Sequence, residues 1–161
     1  MKHLLIAVIA SVLLTSARPA AAQAVRGWAF TGRTTDINAQ NFPAAGGGVL
    51  TEVGQPWLLA GLQGEALFHL PYVAGRGAVF AQGRILPKSP YRPFVLGGIG
   101  FGEDAGPMIG GGIEVGAPNS RWGLRMSVED YVRRVDIYSF GLATGGSELR
   151  HQVALRFGIT F

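Results

Sequence analysis

A chain of 161 residues holds one domain and rarely more, and this one is 48% hydrophobic, 15% charged and free of cysteine. That balance excludes a disulfide framework and a lipid anchored through a thiol. The formal net charge is +4, but the basic residues stand singly along the chain, Arg133-Arg134 excepted, so no nucleic-acid-binding patch and no nucleic-acid partner is expected.

The chain opens on a basic start, Lys2 and His3, followed by an apolar run from Leu4 to Leu14 and then Ala20-Ala21-Ala22 before Gln23. This is the order of a secretory signal peptide with a small-residue cleavage site. The run is too short for a helix crossing a bilayer of about 30 Å, which takes roughly 20 apolar residues. A leader over residues 1–22, export through the Sec pathway and a mature domain over residues 23–161 are expected. Without Lys2 and Arg18, 12 basic residues face 10 acidic ones, and Lys88 is the only lysine left.

Beyond the leader the hydrophobic pattern has a period of two, the period of a strand whose successive side chains point to opposite faces. Val25 to Arg33 carries it weakly, with Trp28 and Phe30 read on the apolar side. Gly46 to Val53 follows with Val49 and Val53. Trp57 to Phe68 sets Leu58, Leu62 and Phe68 against Gln63 and Glu65, and Val73 to Leu86 sets Val79, Ala81 and Ile85 against Arg76, Gln82 and Arg84. In Tyr91 to Gly102, Val95, Ile99 and Phe101 oppose Arg92, Gly98 and Gly100, while Phe94 and Leu96 break the rule. Pro107 to Gly116 places Ile109, Ile113 and Val115 opposite Gly112 and Glu114. Arg121 to Tyr131 places Trp122, Leu124, Met126 and Val128 opposite Arg125, Ser127 and Glu129. The last segment, Leu149 to Phe161, is the clearest: Leu149, Val153, Leu155, Phe157, Ile159 and Phe161 share one side, joined by His151.

Eight such segments without a helical stretch predict an all-β, eight-stranded, antiparallel up-and-down barrel. Connections centred on Gly54-Gln55-Pro56, on Pro87 to Pro90 and on Ala117 to Ser120 are short. At the opposite end Thr34 to Ala45 and Val132 to Glu148 are long, whereas His69 to Tyr72 and Glu103 to Gly106 are short. Short turns at one end and longer loops at the other are the asymmetry of barrels that cross the bacterial outer membrane.

Alternation also fits a soluble, lipocalin-like periplasmic binding protein with its apolar residues inside. Three features favour the membrane arrangement. The polar face is glycine, alanine, arginine and glutamine rather than lysine and glutamate. Trp28, Trp57, Phe68, Tyr72, Tyr91, Phe101, Trp122, Tyr131 and Phe161 fall near strand ends, where rings form girdles at the lipid boundary. A non-helical chain with this much outward apolar surface must also close its sheet in lipid.

On that arrangement the lumen collects Glu52, Glu65, Arg76, Arg84, Arg92, Glu114, Arg125, Glu129, Arg150 and Arg156, with Gln63, Gln82 and Gln152. An eight-stranded barrel has room for side chains and little else, and guanidinium pairs with carboxylate bidentately. A plug of ion pairs is expected, with a narrow gated pore as the sharper alternative. A lipid-modifying outer-membrane enzyme is the other class to weigh. His69 and His151 have no serine two residues away, as the His-x-Ser pair of lipid A deacylases requires, so both read as interfacial and no catalytic residue is assigned. Neither a metal-ligand cluster nor a phosphate-cradling loop is present, and no cofactor is expected; Gly110-Gly111-Gly112 lies within a strand. The external segment 132 to 148 mixes Arg133, Arg134, Asp136, Tyr138 and Phe140, chemistry suited to a sugar, a lipopolysaccharide phosphate or a protein.

Three stretches carry a resemblance: Tyr91-Arg92-Pro93-Phe94-Val95-Leu96-Gly97-Gly98-Ile99-Gly100, the hairpin Gly110 to Gly116 with Trp122-Gly123-Leu124-Arg125, and the final strand closing on Phe161. The chain resembles the small outer-membrane β-barrel proteins of the OmpA-like and opacity-porin type. The resemblance implies an outer-membrane location among lipid and lipopolysaccharide. It also implies that Phe157, Ile159 and Phe161 form the signal read by the barrel-assembly machinery. It further suggests Arg133 and Arg134 as contacts for lipopolysaccharide phosphates. The sequence departs from full-length OmpA in having no peptidoglycan-binding region after Phe161, so no tether to the wall is expected.

Overall fold

The computed structural model describes residues 25–161 except 37–39, 70, 103–104, 118–119, 121 and 140–141, and the backbone alone for the rest of 135–146. The expected leader lies outside the described residues. Eight strands follow one another: β1 (Arg26–Thr35), β2 (Asn41–Val53), β3 (Gln55–His69), β4 (Tyr72–Arg84), β5 (Tyr91–Phe101), β6 (Gly106–Val115), β7 (Gly123–Ser139) and β8 (Leu142–Thr160). Each pairs antiparallel with its neighbour in sequence, and β8 returns to β1 to close the barrel. The seam is tied in both directions, Gly27 N donating to Phe161 O at 2.8 Å and Phe161 N to Gly27 O at 2.9 Å.

One end, termed inner, carries the β1 start, Phe161 and three tight connections. The tightest needs Gly54 at φ 72°, a left-handed conformation that glycine adopts without the clash a Cβ brings. Val53 and Gln55 pair directly across it.

At the outer end the strands run further than the sequence pattern suggests. β2 begins at Asn41 rather than Gly46, and most of the segments expected as long loops, Thr34 to Ala45 and Val132 to Glu148, is paired strand. Tyr138 pairs with Ala143 and Ser139 with Leu142, beyond a register shift between Asp136 and Tyr138. Alternation fails as a guide there for a physical reason: past the packed interior the two faces of a hairpin meet similar surroundings, so backbone pairing persists without hydropathic contrast. In residues 41–45 alanines on both faces and Pro43 erase the contrast in the same way.

The faces are sorted as an inside-out protein. Outward residues include Ile109 at 65%, Leu124 at 62% and Val95 at 59% exposure, with Val128, Leu155 and Ile159 around the same wall. Inside stand the charged groups, together with an apolar cluster the pattern did not anticipate: Trp28, Phe30, Leu50, Leu59, Phe80 and Phe94, among others. Trp28 and Phe30, expected outside, are buried at 3% and 7%, and Tyr131, expected at the lipid boundary, is buried at 3%. The outward face of β1 is instead Gly27, Ala29, Thr31 and Arg33. The interior supplies the reason. Gly48 faces Trp28, and a Cβ there would stand 2.5 Å from the indole. Glycine thus makes the space that a large ring fills, and lumen packing decides the face of β1.

Candidate functional site: the ionic lumen

The lumen holds two ionic clusters separated by aromatic rings. The inner cluster is built on a row across three strands, in which Glu114 of β6 pairs with Arg92 of β5 on one side and Arg125 of β7 on the other. Arg125 Nη1 donates to Glu114 Oε1 at 2.8 Å, and Arg84 Nη2 from β4 donates to Oε2 at 2.8 Å. Arg92 Nε stands 3.5 Å from the same oxygen. Arg125 Nη2 also donates to Gln82 Oε1 at 2.8 Å. Glu52 reaches Arg84 only from 4.0 Å, with its side chain a third exposed.

The outer cluster shares two carboxylates between two arginines. Glu65 and Arg76 are direct cross-strand partners and form an ion pair. Arg156 bridges the two acids, donating from Nη2 to Glu65 Oε1 at 2.8 Å and forming an ion pair with Glu129. Arg76 donates further to Gln152 Oε1 and Thr34 Oγ1, each at 3.1 Å. Glu129 accepts from Gln63 Nε2 at 2.8 Å, from Ser127 Oγ at 3.0 Å and from Tyr131 Oη at 3.1 Å. In this outer cluster most polar atoms find a partner, as a buried network requires.

Between the clusters Trp28 and Phe80 meet edge to face at 5.9 Å between centroids. The guanidinium of Arg125 lies 4.0 Å over Phe94, and that of Arg156 lies 4.9 Å over Phe30. Such stacking suits the planar, weakly hydrated guanidinium. The crevice beside Trp28, Phe30, Arg125 and Arg156 has no room for a water molecule. Above the outer cluster the barrel opens into a cup of about 230 Å³, lined in part by Phe42, Leu67, Arg76, Tyr131, Val132 and Gln152.

Of the ten charged residues expected inside, the structure brings eight into the two clusters: Glu65, Arg76, Arg84, Arg92, Glu114, Arg125, Glu129 and Arg156. Glu52 sits at the inner margin. Arg150 does not join: β8 extends past the plug, so its inward position lies above the packed interior, and it pairs with the half-exposed Glu148. Ser127 falls on the face expected for it, with Arg125 and Glu129, whereas Tyr131 and Thr34 were missed. Strict parity along β7 would have found Tyr131.

On the outer surface Phe157, Ile159 and Phe161 share the outward side of β8, each close to half exposed. Phe161 packs against Trp122 with ring centroids 5.9 Å apart. Arg133 and Arg134 do not form one patch. Residues 132–134 are strand, so the two arginines face opposite ways: Arg133 lines the cup, while the exposed Arg134 points outward and donates from Nε to Ser147 Oγ at 2.7 Å. His151 Nδ1 lies 2.7 Å from Asp130 Oδ2 on the outward face of β7 and β8, a pairing the sequence pattern did not reveal. His69 meets Phe42 edge to face at 4.5 Å. Among the described residues no group of three or more His, Asp or Glu side chains is placed to hold a metal ion.

This architecture, with a closed eight-stranded antiparallel wall, apolar residues outside and ion pairs within, defines the class of small outer-membrane-type β-barrels. Solved structures share the fold. The N-terminal β-barrel domain of Pseudomonas aeruginosa OprF superposes with a TM-score of 0.56 at 14% identity, over 85% of this chain and 96% of that one. Neisserial surface protein A superposes with a TM-score of 0.59 at 10% identity, over 84% and 94% respectively. No family model matches the sequence, and no curated protein matches it.

Proposed function

We propose that this chain is an integral outer-membrane protein with a structural or surface-interaction role. Its inner end faces the periplasm, and its lumen is closed to ions. The observation that carries the reading is the sorting of side chains: an outward wall made largely of apolar residues would be costly in water, whereas most of the charges packed inside stand in ion pairs. This is the reverse of a soluble ligand-binding barrel. Export of residues 23–161 after removal of 1–22 delivers the chain to the periplasm. The outward side of the last strand, with Phe157, Ile159 and Phe161, gives the barrel-assembly machinery its recognition surface. At the outer margin the outward Arg134 would meet a lipopolysaccharide phosphate, while Arg133 belongs to the cup, where a small surface ligand would meet Arg76, Tyr131 and Gln152.

Membrane fractionation with gel mobility before and after boiling tests the location: recovery with the outer membrane and a heat-dependent shift are expected. Recovery in the soluble periplasm with no shift overturns the reading. A companion variant probes the wall. Met126→Arg, in the middle of the outward run of β7, should lower stability in phospholipid vesicles by about 2–4 kcal/mol; a water-facing position would tolerate it. Planar-bilayer recording separates plug from pore: the unaltered chain, Glu114→Ala and Arg125→Ala should all stay silent, and steady conductance in the unaltered chain would favour the gated pore.

A further inference from the structure

The two clusters differ in how their charges are matched, and the inner one is left short of acceptors. Arg84, Arg92 and Arg125 face the single buried carboxylate of Glu114. Counting the partly exposed Glu52, one positive charge remains unmatched, and Arg26 stands on the inward side of β1 at the same end. The hydrogen-bond inventory points the same way. Arg84 Nε and Arg92 Nε are buried donors with no hydrogen-bond acceptor, and both flank Glu114; the one such atom of the outer cluster, Arg156 Nη1, stands in an ion pair with Glu129. Arg92 is the extreme case: it is 2% exposed, and its one counter-ion among the described residues is Glu114 at 3.5 Å. Its Nη2 lies against the backbone of the inner turn, 3.3 Å from where a Cβ on Gly116 would stand and 3.7 Å from that of Gly123. The guanidinium is therefore held beside the inner turn, at the end of the barrel that carries Phe161.

A buried cation lacking both a full counter-charge and hydrogen-bond acceptors is costly. The missing group must be negative and an acceptor, and small enough for the mouth of an eight-stranded barrel. A water molecule would accept a hydrogen bond but leave the charge unmatched. We infer that the inner end of the lumen, beside Glu114, is a binding site for a small inorganic anion, held by Arg92 and Arg84. The aromatic layer above it makes the site a dead end rather than a station on a path, so occupancy stabilises the barrel without conduction.

The test uses the mature chain refolded in uncharged maltoside micelles, with the heat-dependent mobility shift as readout. Sodium isethionate is exchanged for sodium chloride, or in a second arm for sodium phosphate, at constant ionic strength. A saturable rise of about 5 °C in the midpoint is expected with at least one of the compact anions. Arg92→Gln should abolish that rise, and the arm that responds assigns the site to halide or oxyanion. Glu52→Gln removes a competing carboxylate and should lower the half-saturating concentration about threefold. Crystals grown in bromide should place anomalous density beside the Arg92 guanidinium. A flat response to both anions, or a rise that Arg92→Gln leaves intact, overturns the inference. If Arg92→Gln does not fold, an unchanged half-saturation in Glu52→Gln overturns it instead.

Discussion

The two ionic clusters solve the same problem, burying arginine in a narrow barrel, with opposite economy. In the outer cluster two guanidiniums share two carboxylates, and Gln63, Ser127, Tyr131, Gln152 and Thr34 complete their hydrogen bonds. In the inner cluster three guanidiniums converge on Glu114, with Glu52 at the margin. Redundancy protects the first: the loss of either acid leaves Arg156 with the other. The second hangs on a single carboxyl group. A buried charge network is thus best judged by how many partners each member keeps when one is removed, rather than by its number of ion pairs.

That difference sets an order of effects for urea unfolding of the barrel in lipid vesicles. Glu114→Gln strips the inner arginines of their shared counter-charge and should cost the most, about 3–5 kcal/mol. Trp28→Ala, which opens the layer between the clusters, should cost about 3 kcal/mol through the cavity it leaves and is the variant most apt to admit a measurable conductance. Glu65→Gln should cost only about 2 kcal/mol, since Arg156 keeps Glu129 and Arg76 keeps Gln152 and Thr34. Tyr131→Phe removes one hydroxyl from a well-satisfied network and should cost about 1 kcal/mol. Equal losses for Glu114→Gln and Glu65→Gln would break the contrast between the clusters.

Strand number, order and closure were legible because alternation is strong wherever one face meets the lumen and the other the apolar exterior. The charged residues of the lumen were legible for the same reason: an arginine on the even positions of β4 or β8 has one direction available. What stayed hidden depended on the third dimension. Whether Trp28 turns in or out is decided by Gly48 on the neighbouring strand, which a single-strand pattern does not contain. The division of the charges into two clusters depends on barrel stagger, which carries Glu65 of β3 to Arg156 of β8, residues far apart in sequence. Arg150 was misplaced because parity fixes a side chain's face but not its height. The pairing of Asp130 with His151 needed the register between β7 and β8, and the opposed directions of Arg133 and Arg134 needed the knowledge that β7 runs through them.

The seam where Gly27 and Phe161 exchange hydrogen bonds has a bearing on assembly. Until β8 docks, the sheet has two raw margins, each a row of amide and carbonyl groups with nothing to bind, and a hydrocarbon environment punishes both. Partial insertion from the first strand onward therefore offers no stable resting place. The final strand is the one that zips the cylinder shut, so the two margins satisfy one another only when it docks.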